Sequence, residues 1–134
     1  MKKAWHTSRE RVDDCLAIVR EMQENALRGV FHCFSGNMAD AEAVMATDFL
    51  IGIGGVVTFK NSTLPDVIRE IPIEFIVLET DSPYLAPTPY RGKRNESSYL
   101  TLVAQKIAEI KELSIEEVAQ LTTENAKRLF GRGI

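Results

Sequence analysis

The amino-acid sequence predicts an α/β protein with about four parallel strands that are covered by helices. Short segments of continuous apolar residues alternate with amphipathic segments along the 134 residues. Continuous apolar strands are typical of parallel sheets, because both faces of such a sheet are covered. In addition, polar side chains stand directly after several apolar segments, where α/β proteins place their functional groups.

Strands and helices alternate from the beginning of the chain. Apolar side chains recur at helical spacing over residues 9–23, which predicts the first helix. The other elements predicted for the first half are a strand at 3–6, a strand at 29–34 (GVFHCF), a helix at 39–46 and a strand at 49–55 (FLIGIGG). Asn37 is the predicted N-cap of the helix at 39–46.

The second half of the chain continues this alternation. Its predicted elements are a helix at 64–70, a strand at 75–79, a helix at 99–111, a helix that begins after Ser114 and a last helix at 124–130. Ser114 and Glu117 form a capping box, and Gly131 ends the last helix.

The number of elements and the length of the chain together define the predicted architecture. We count about four βα units, whereas a closed (β/α)₈ barrel takes about 250 residues. The sequence therefore predicts one domain over residues 1–134 with the fold of half a TIM barrel. Such a half-barrel leaves sheet edges unpaired at 3–6 and 75–79, so we expect it to self-associate or to depend on a missing N-terminal half.

Composition excludes several classes of protein. The chain has 16 basic and 19 acidic residues, so any binding of nucleic acid must depend on a local basic cluster. Two cysteines are too few for a disulfide scaffold and suit a reducing compartment. No apolar segment reaches the roughly 18 residues of a membrane span, and the start lacks a signal-peptide core. We therefore expect a cytoplasmic protein that does not contact the membrane.

Four ionisable residues stand at predicted strand ends. His6 and His32 stand at the ends of the first two strands, and Glu79 and Asp81 stand at the end of the fourth. Two imidazoles and a carboxylate are a reasonable set for a divalent metal ion or for acid–base chemistry. Glu79 and Asp81 share one face of the strand, so one can bind while the other orients an imidazole or a water. The alternatives to a functional site are that His32 is only a packed residue of the core and that Asp81 only begins a turn.

Glycines end the third predicted strand. The GIGG segment at 52–55 lacks the G-x-G-x-x-G spacing of a dinucleotide-binding loop. Close approach of another part of the chain at the strand end is the preferred interpretation.

A basic segment follows the Asp81 turn. Arg91, Lys93 and Arg94 lie within four residues, near Tyr84 and Tyr90. Cations and aromatic rings on a proline-punctuated loop beside a metal site suit a substrate with phosphate groups.

The chain resembles the TatD family of metal-dependent deoxyribonucleases. The resemblance lies in GVFHCFSGN (29–37), GIGGVVTFKN (52–61), VLETDSPYLAPTPYRGKRNE (77–96) and TTENAKRLFG (122–131), and it covers only the C-terminal half of the family. It implies a (β/α)₈ barrel related to amidohydrolases, which binds magnesium or zinc ions and hydrolyses phosphodiester bonds in DNA.

The resemblance also implies roles for individual residues. His32 corresponds to a metal ligand, Asp81 to a ligand that also handles the nucleophilic water, and Glu79 to its supporting carboxylate. The family has a further ligand histidine near the start of this region. When Ser8 and the residues after it are aligned with the family, Thr7 stands at the position of that histidine. His6 corresponds to it only if the turn after the strand absorbs an insertion of one residue. The family's His-x-His pair and bridging glutamate have no counterpart.

Three functions agree with the sequence. The first is a TatD-type deoxyribonuclease that is impaired in this short chain. The second is an amidohydrolase-type enzyme that hydrolyses C–N bonds or deaminates, since the same ligands serve that chemistry. The third is a non-catalytic chain that acts only through protein association.

Overall fold

A parallel sheet is the centre of the fold. The computed structural model describes residues 9–23 and 27–131, without the side chains of residues 9–11. Within these residues the sheet has the order β1-β2-β3, with β1 at Val30–Phe31, β2 at Leu50–Ile53 and β3 at Ile76–Leu78. Both pairings are parallel. The predicted parallel α/β class is confirmed, while the predicted strand at 3–6 and His6 lie outside the described residues.

Helices follow the strands in the predicted order. They are α1 (Arg9–Glu21), α2 (Met38–Ala46), α3 (Leu64–Glu70), α4 (Leu100–Lys111) and α5 (Ile115–Phe130). Short 3₁₀ segments occupy Gly55–Thr58, Ile73–Phe75 and Ser97–Tyr99. Of the helices described here, none combines the length and apolar character that crossing a membrane requires.

Capping explains two of the helix starts. Asn37 accepts a hydrogen bond from the backbone of Asp40, whose side chain accepts one from Asn37 in return. Ser114 and Glu117 make the same reciprocal pair at the start of α5. These side chains satisfy backbone N–H groups that have no partner within the helix.

The two helices predicted after Ser114 form one continuous helix. No glycine or proline interrupts the sequence of α5 before Gly131. Thr122 lies just before the expected start of the last helix at Glu124, and β-branched residues disfavour helices. In the structure its hydroxyl donates to the carbonyl of Val118 within the helix, at 2.8 Å. The expected boundary at Glu124 is therefore wrong.

The apolar core lies between the sheet and the helices. It includes Ile51 and Ile53 of β2 and Ile76 of β3, all fully buried. The helices contribute buried side chains to the same cluster: Val12, Leu16, Val44, Ile68, Ile107 and Val118. Each fully buried aliphatic side chain contributes about 1.5–3 kcal/mol through the hydrophobic effect. This layer covers one face of the sheet with apolar side chains.

Asn125 connects α5 to the beginning of β3. Its side chain is buried, and its amide donates to the carbonyls of Ile73 at 2.7 Å and Ile76 at 2.8 Å. Ile73 precedes β3 and Ile76 is its first residue. Asn125 therefore holds the start of β3, whereas Glu79 and Asp81 follow its other end. Breaking these bonds would leave buried acceptors without donors, which is costly.

An apolar groove lies beside β3, which pairs only with β2 among the described strands. The groove has a volume of about 440 Å³. It is lined by Val77 and Leu78 of the strand together with side chains of α4 and α5, including Ala119 and Ala126. An unpaired strand edge next to an apolar groove favours association with another chain.

We predict that the chain self-associates through this groove. Ala119→Glu should lower the mass measured by light scattering, because it places a charge on an exposed wall of the groove. Gln105→Glu adds the same charge at an exposed position of α4 and should not change the mass. A monodisperse monomer at all concentrations of the unmodified chain would contradict the prediction.

Candidate metal centre

The register of the sheet brings polar residues of two separate strands to one face. Phe31 pairs with Ile51, so His32 is level with Gly52 on the middle strand. Gly52 pairs with Val77, and Glu79 lies two residues further along the same face. Side chains at alternate strand positions point to the same face. His32 and Glu79 are therefore separated only by the position of Gly52.

Gly52 provides the space in which these side chains meet. A Cβ atom at this position would collide with the carboxylate of Glu79. Alternate strands of a sheet are about 9.5 Å apart, so side chains on β1 and β3 meet only where the middle strand leaves room. With no side chain at 52, Nδ1 of His32 lies 2.6 Å from Oε2 of Glu79.

The backbone of Cys33 provides a second donor to Glu79. Its N–H donates to Oε1 of that carboxylate, while the other oxygen contacts His32. Cys33 has a φ of 52°, in the left-handed region that non-glycine residues seldom adopt. The chain thus turns sharply just after His32, and both oxygens of Glu79 are held.

Asp81 completes the cluster from the other side of the imidazole. Its Oδ1 lies 2.6 Å from Nε2 of His32. The imidazole is therefore between two carboxylates, each with only 13% of its side chain exposed, whereas 57% of the His32 side chain is exposed. Ligand atoms of His32, Glu79 and Asp81 all lie within 4.8 Å of one another.

The pKa values reflect this arrangement. Burial lowers the pKa of His32, but the hydrogen bonds and charges of Glu79 and Asp81 together raise it above its ordinary value. Burial also raises the pKa of Glu79, against the effect of its two donors. For Cys33, burial and the nearby Asp81 raise the thiol pKa to about 12. In the absence of a bound cation, Cys33 is therefore a neutral thiol at neutral pH.

The donor set fits a divalent cation. An imidazole nitrogen and carboxylate oxygens are ligands of zinc, manganese and magnesium sites. A ligating histidine usually donates its other ring N–H to a carboxylate, which fixes its tautomer. Here Glu79 can accept from Nδ1 of His32, which leaves Nε2 and the Asp81 carboxylate as the pair that faces an ion.

The glycines at the end of β2 also admit the loop that follows Asp81. A Cβ atom on Gly55 would collide with the carbonyl oxygen of Leu85 and lie 3.1 Å from the nitrogen of Pro87. The predicted close approach at the glycine segment is confirmed. The backbone of the loop after Asp81 approaches Gly55, and the side chain of Glu79 approaches Gly52.

The basic segment lies on the protein surface. Arg91, Lys93 and Arg94 are exposed. The guanidinium of Arg91 lies 4.1 Å from the centre of the Phe59 ring, and Tyr90 stacks on Tyr99 with ring centres 4.2 Å apart. These aromatic contacts hold the segment in a defined place, while the three cations stay accessible to solvent.

The sequence does not reveal two contacts of this region. The partner that approaches Gly52 is Glu79, which is remote in the sequence. Asn95 has no role assigned from the sequence, yet it is buried and bonds the loop after Asp81. The signal in the sequence was that Asn95, a polar amide, directly follows the exposed basic residues 91–94.

Comparisons with known proteins agree with the geometry. The family model for TatD-related DNases matches residues 5–131. The chain is 48% identical over 124 residues to the uncharacterized metal-dependent hydrolase YabD of Bacillus subtilis, covering 92% of this chain and 49% of YabD. It is 43% identical over 126 residues to the uncharacterized metal-dependent hydrolase YcfH of Escherichia coli, covering 93% of this chain and 47% of YcfH.

Solved structures show the same similarity. The crystal structure of YjjV, a TatD homologue from E. coli, superposes with a TM-score of 0.82 at 28% identity, over 89% of this chain and 46% of YjjV. A TatD family hydrolase from Entamoeba histolytica gives a TM-score of 0.76 at 25% identity, over 96% of this chain and 48% of its own. The chain thus spans about half the length of the proteins that it matches.

We predict that Gly52→Ala separates His32 from Glu79. The added methyl group must displace the Glu79 carboxylate, since that is the group it meets. Nitrogen-15 NMR of the histidine side chains should show loss of the hydrogen bond at Nδ1 of His32. Gly54→Ala is the control, because a Cβ atom there would make only ordinary contacts, the nearest 3.4 Å from the carbonyl oxygen of Glu79. An unchanged Nδ1 signal in Gly52→Ala would contradict this account of the site.

Proposed function

The chain belongs to the family of TatD-related DNases, and from this premise we propose that it carries a metal-dependent site for hydrolysis of phosphodiester bonds in DNA. The observation that supports the proposal most strongly is the imidazole of His32 between the carboxylates of Glu79 and Asp81. In this proposal His32 and Asp81 bind the ion, and Glu79 orients His32. His6 is proposed as a further ligand.

The residues of the site then divide the tasks of the reaction. A divalent ion held by His32 and Asp81 would lower the pKa of a bound water and stabilise negative charge on a phosphate group. Glu79 accepts the Nδ1 proton of His32 and so directs the Nε2 lone pair outward. Asp81 has a second carboxylate oxygen besides the one that contacts His32, and this oxygen accepts a proton from the attacking water.

The basic segment binds the backbone of the substrate in this proposal. Arg91, Lys93 and Arg94 are exposed cations, and they follow the Asp81 loop in the sequence. Arg91 is fixed by stacking on Phe59, which reduces the conformational entropy lost when it binds a phosphate. Such a cation cluster favours a phosphodiester over the phosphate-free substrates of C–N hydrolases.

We predict that Mn²⁺ binds the purified chain and that Asp81→Ala weakens this binding at least tenfold, because a ligand is lost. Affinity should be lower than in a complete site, since affinity depends on ligand number. Calorimetry measures both values. Asp66→Ala removes an exposed carboxylate of α3 and should leave binding unchanged.

Hydrolysis of a DNA oligonucleotide in the same preparation tests the reaction. Weak, Mn²⁺-dependent cleavage that Asp81→Ala abolishes would support the proposal. Tight binding that survives Asp81→Ala would show that the ligands lie elsewhere. Binding without cleavage would favour a non-catalytic chain, and turnover of a phosphate-free amide instead of DNA would favour a C–N hydrolase.

We also predict that the affinity for DNA depends on salt through the basic segment. Replacing Arg91, Lys93 and Arg94 by alanine should reduce the slope of log affinity against log salt by about two to three, because each phosphate contact releases counterions. Alanine at Arg20, Arg69 and Lys106 removes the same charge from helices and is the control. An unchanged slope in the Arg91, Lys93 and Arg94 variant would place the contact on another surface.

A further inference from the structure

Asn95 is a buried amide that bonds the segment around Asp81 at three places. Only 5% of its surface is exposed. Its side-chain nitrogen donates to Oγ1 of Thr80 at 3.1 Å and to the carbonyl of Tyr84 at 2.8 Å. Its backbone N–H donates to the carbonyl of Pro83 at 2.9 Å. One residue therefore holds both ends of the segment from 80 to 84.

The hydroxyl of Thr80 is the point where these bonds meet. Its oxygen accepts from the side chain of Asn95 and from the backbone N–H of Ser82, at 3.0 Å. A hydroxyl oxygen has two acceptor sites, so its own hydrogen is left for the Ser82 hydroxyl, 2.6 Å away. The direction of every bond at Thr80 is thus determined.

The orientation of the Asn95 amide is determined too, and it has a cost. The carbonyl of Tyr84 can only accept, so the amide nitrogen must face it. The amide oxygen then points into the interior, where it is the one buried side-chain polar atom without a hydrogen-bond partner among the described residues. An unpaired buried acceptor lowers stability. Stability alone therefore gives a poor account of an asparagine at this position.

Asn95 bonds the chain directly after the last residue that is hydrogen-bonded to the sheet. In the described residues, the last backbone bond from this strand to β2 runs from the N–H of Glu79 to the carbonyl of Ile53, at 3.0 Å. Thr80 is the next residue in the sequence and separates Glu79 from Asp81. The loop then turns, and the N–H of Tyr84 donates to the carbonyl of Asp81 at 2.7 Å. Beyond Glu79, the position of the chain depends on Thr80 and Asn95 instead of the sheet.

We propose that Asn95 is a positioning residue, which through Thr80 holds Glu79 and Asp81 where both carboxylates contact His32. The inference rests on the proposed function, since it concerns the geometry of the same metal site. Asn95 touches neither the ion nor the substrate in this role. It acts on the backbone that carries the two carboxylates.

Asn125 is a matched control for this role. Like Asn95 it is buried, with 3% of its surface exposed, and its side chain makes two hydrogen bonds that fix β3. Those bonds are at the opposite end of the strand, away from the carboxylates. Asn125→Ala should therefore destabilise the fold and leave the site geometry unchanged.

The first experiment compares Mn²⁺ affinity in Asn95→Ala, Asn125→Ala, Thr80→Val and Thr80→Ser by calorimetry. We expect about a tenfold loss for Asn95→Ala and Thr80→Val, the lower limit for the loss of an outer partner of metal ligands. Asn125→Ala and Thr80→Ser, which keeps the hydroxyl, should stay within twofold of the unmodified chain. Equal losses in Asn95→Ala and Asn125→Ala would overturn the proposal, as would no loss in Asn95→Ala.

The second experiment uses no metal, so it separates this inference from the proposed function. Nitrogen-15 NMR of the two histidines reports hydrogen bonding at both ring nitrogens of His32, and His6→Gln assigns the signals. Asn95→Ala should change the His32 signals, while Asn125→Ala should not. If the unmodified chain binds no Mn²⁺, the proposed function fails and this result still decides the inference. Unchanged His32 signals in folded Asn95→Ala would overturn it.

Discussion

The empty space above Gly52 is the constraint on which the candidate site depends. In a parallel sheet, residues of the first and third strands are about 9.5 Å apart, which exceeds the reach of most side-chain pairs. His32 and Glu79 nevertheless approach to 2.6 Å, because the middle strand has no side chain between them. A methyl group at this position would have to displace the Glu79 carboxylate. The simplest residue of the site thus determines whether its two charged groups meet.

Bringing polar groups to this position requires compensation for lost hydration, and the local structure provides it. The carboxylate of Glu79 is mostly buried, and burial raises its pKa, which disfavours the charged form. The N–H of Cys33 and the ring of His32 oppose this effect by donating to its two oxygens. The left-handed backbone of Cys33 is what allows an N–H and an imidazole from adjacent residues to reach one carboxylate.

The sequence was sufficient for the features that depend on local pattern. Continuous apolar segments predicted the strands, because a strand covered on both faces has no polar positions, and Asn37 and Ser114 predicted helix starts because capping needs only neighbouring residues. The contact of Gly52 with Glu79 depends on register, and the role of Asn95 depends on a loop that returns to β3. Neither is a property of neighbouring residues. The same limit applies to α5, where a threonine within the helix bonds back to it.

The two faces of the sheet are stabilised by different forces, and this difference decides how each responds to substitution. The face with Ile51, Ile53 and Ile76 packs against helices, and apolar contacts adjust to small changes by shifting many atoms slightly. The site face ends in a segment whose position depends on a few directional bonds from Thr80 and Asn95. Hydrogen bonds weaken steeply when their geometry changes, so this segment has little tolerance. Substitutions in the core should therefore alter stability first, and substitutions around the segment should alter the position of the carboxylates first.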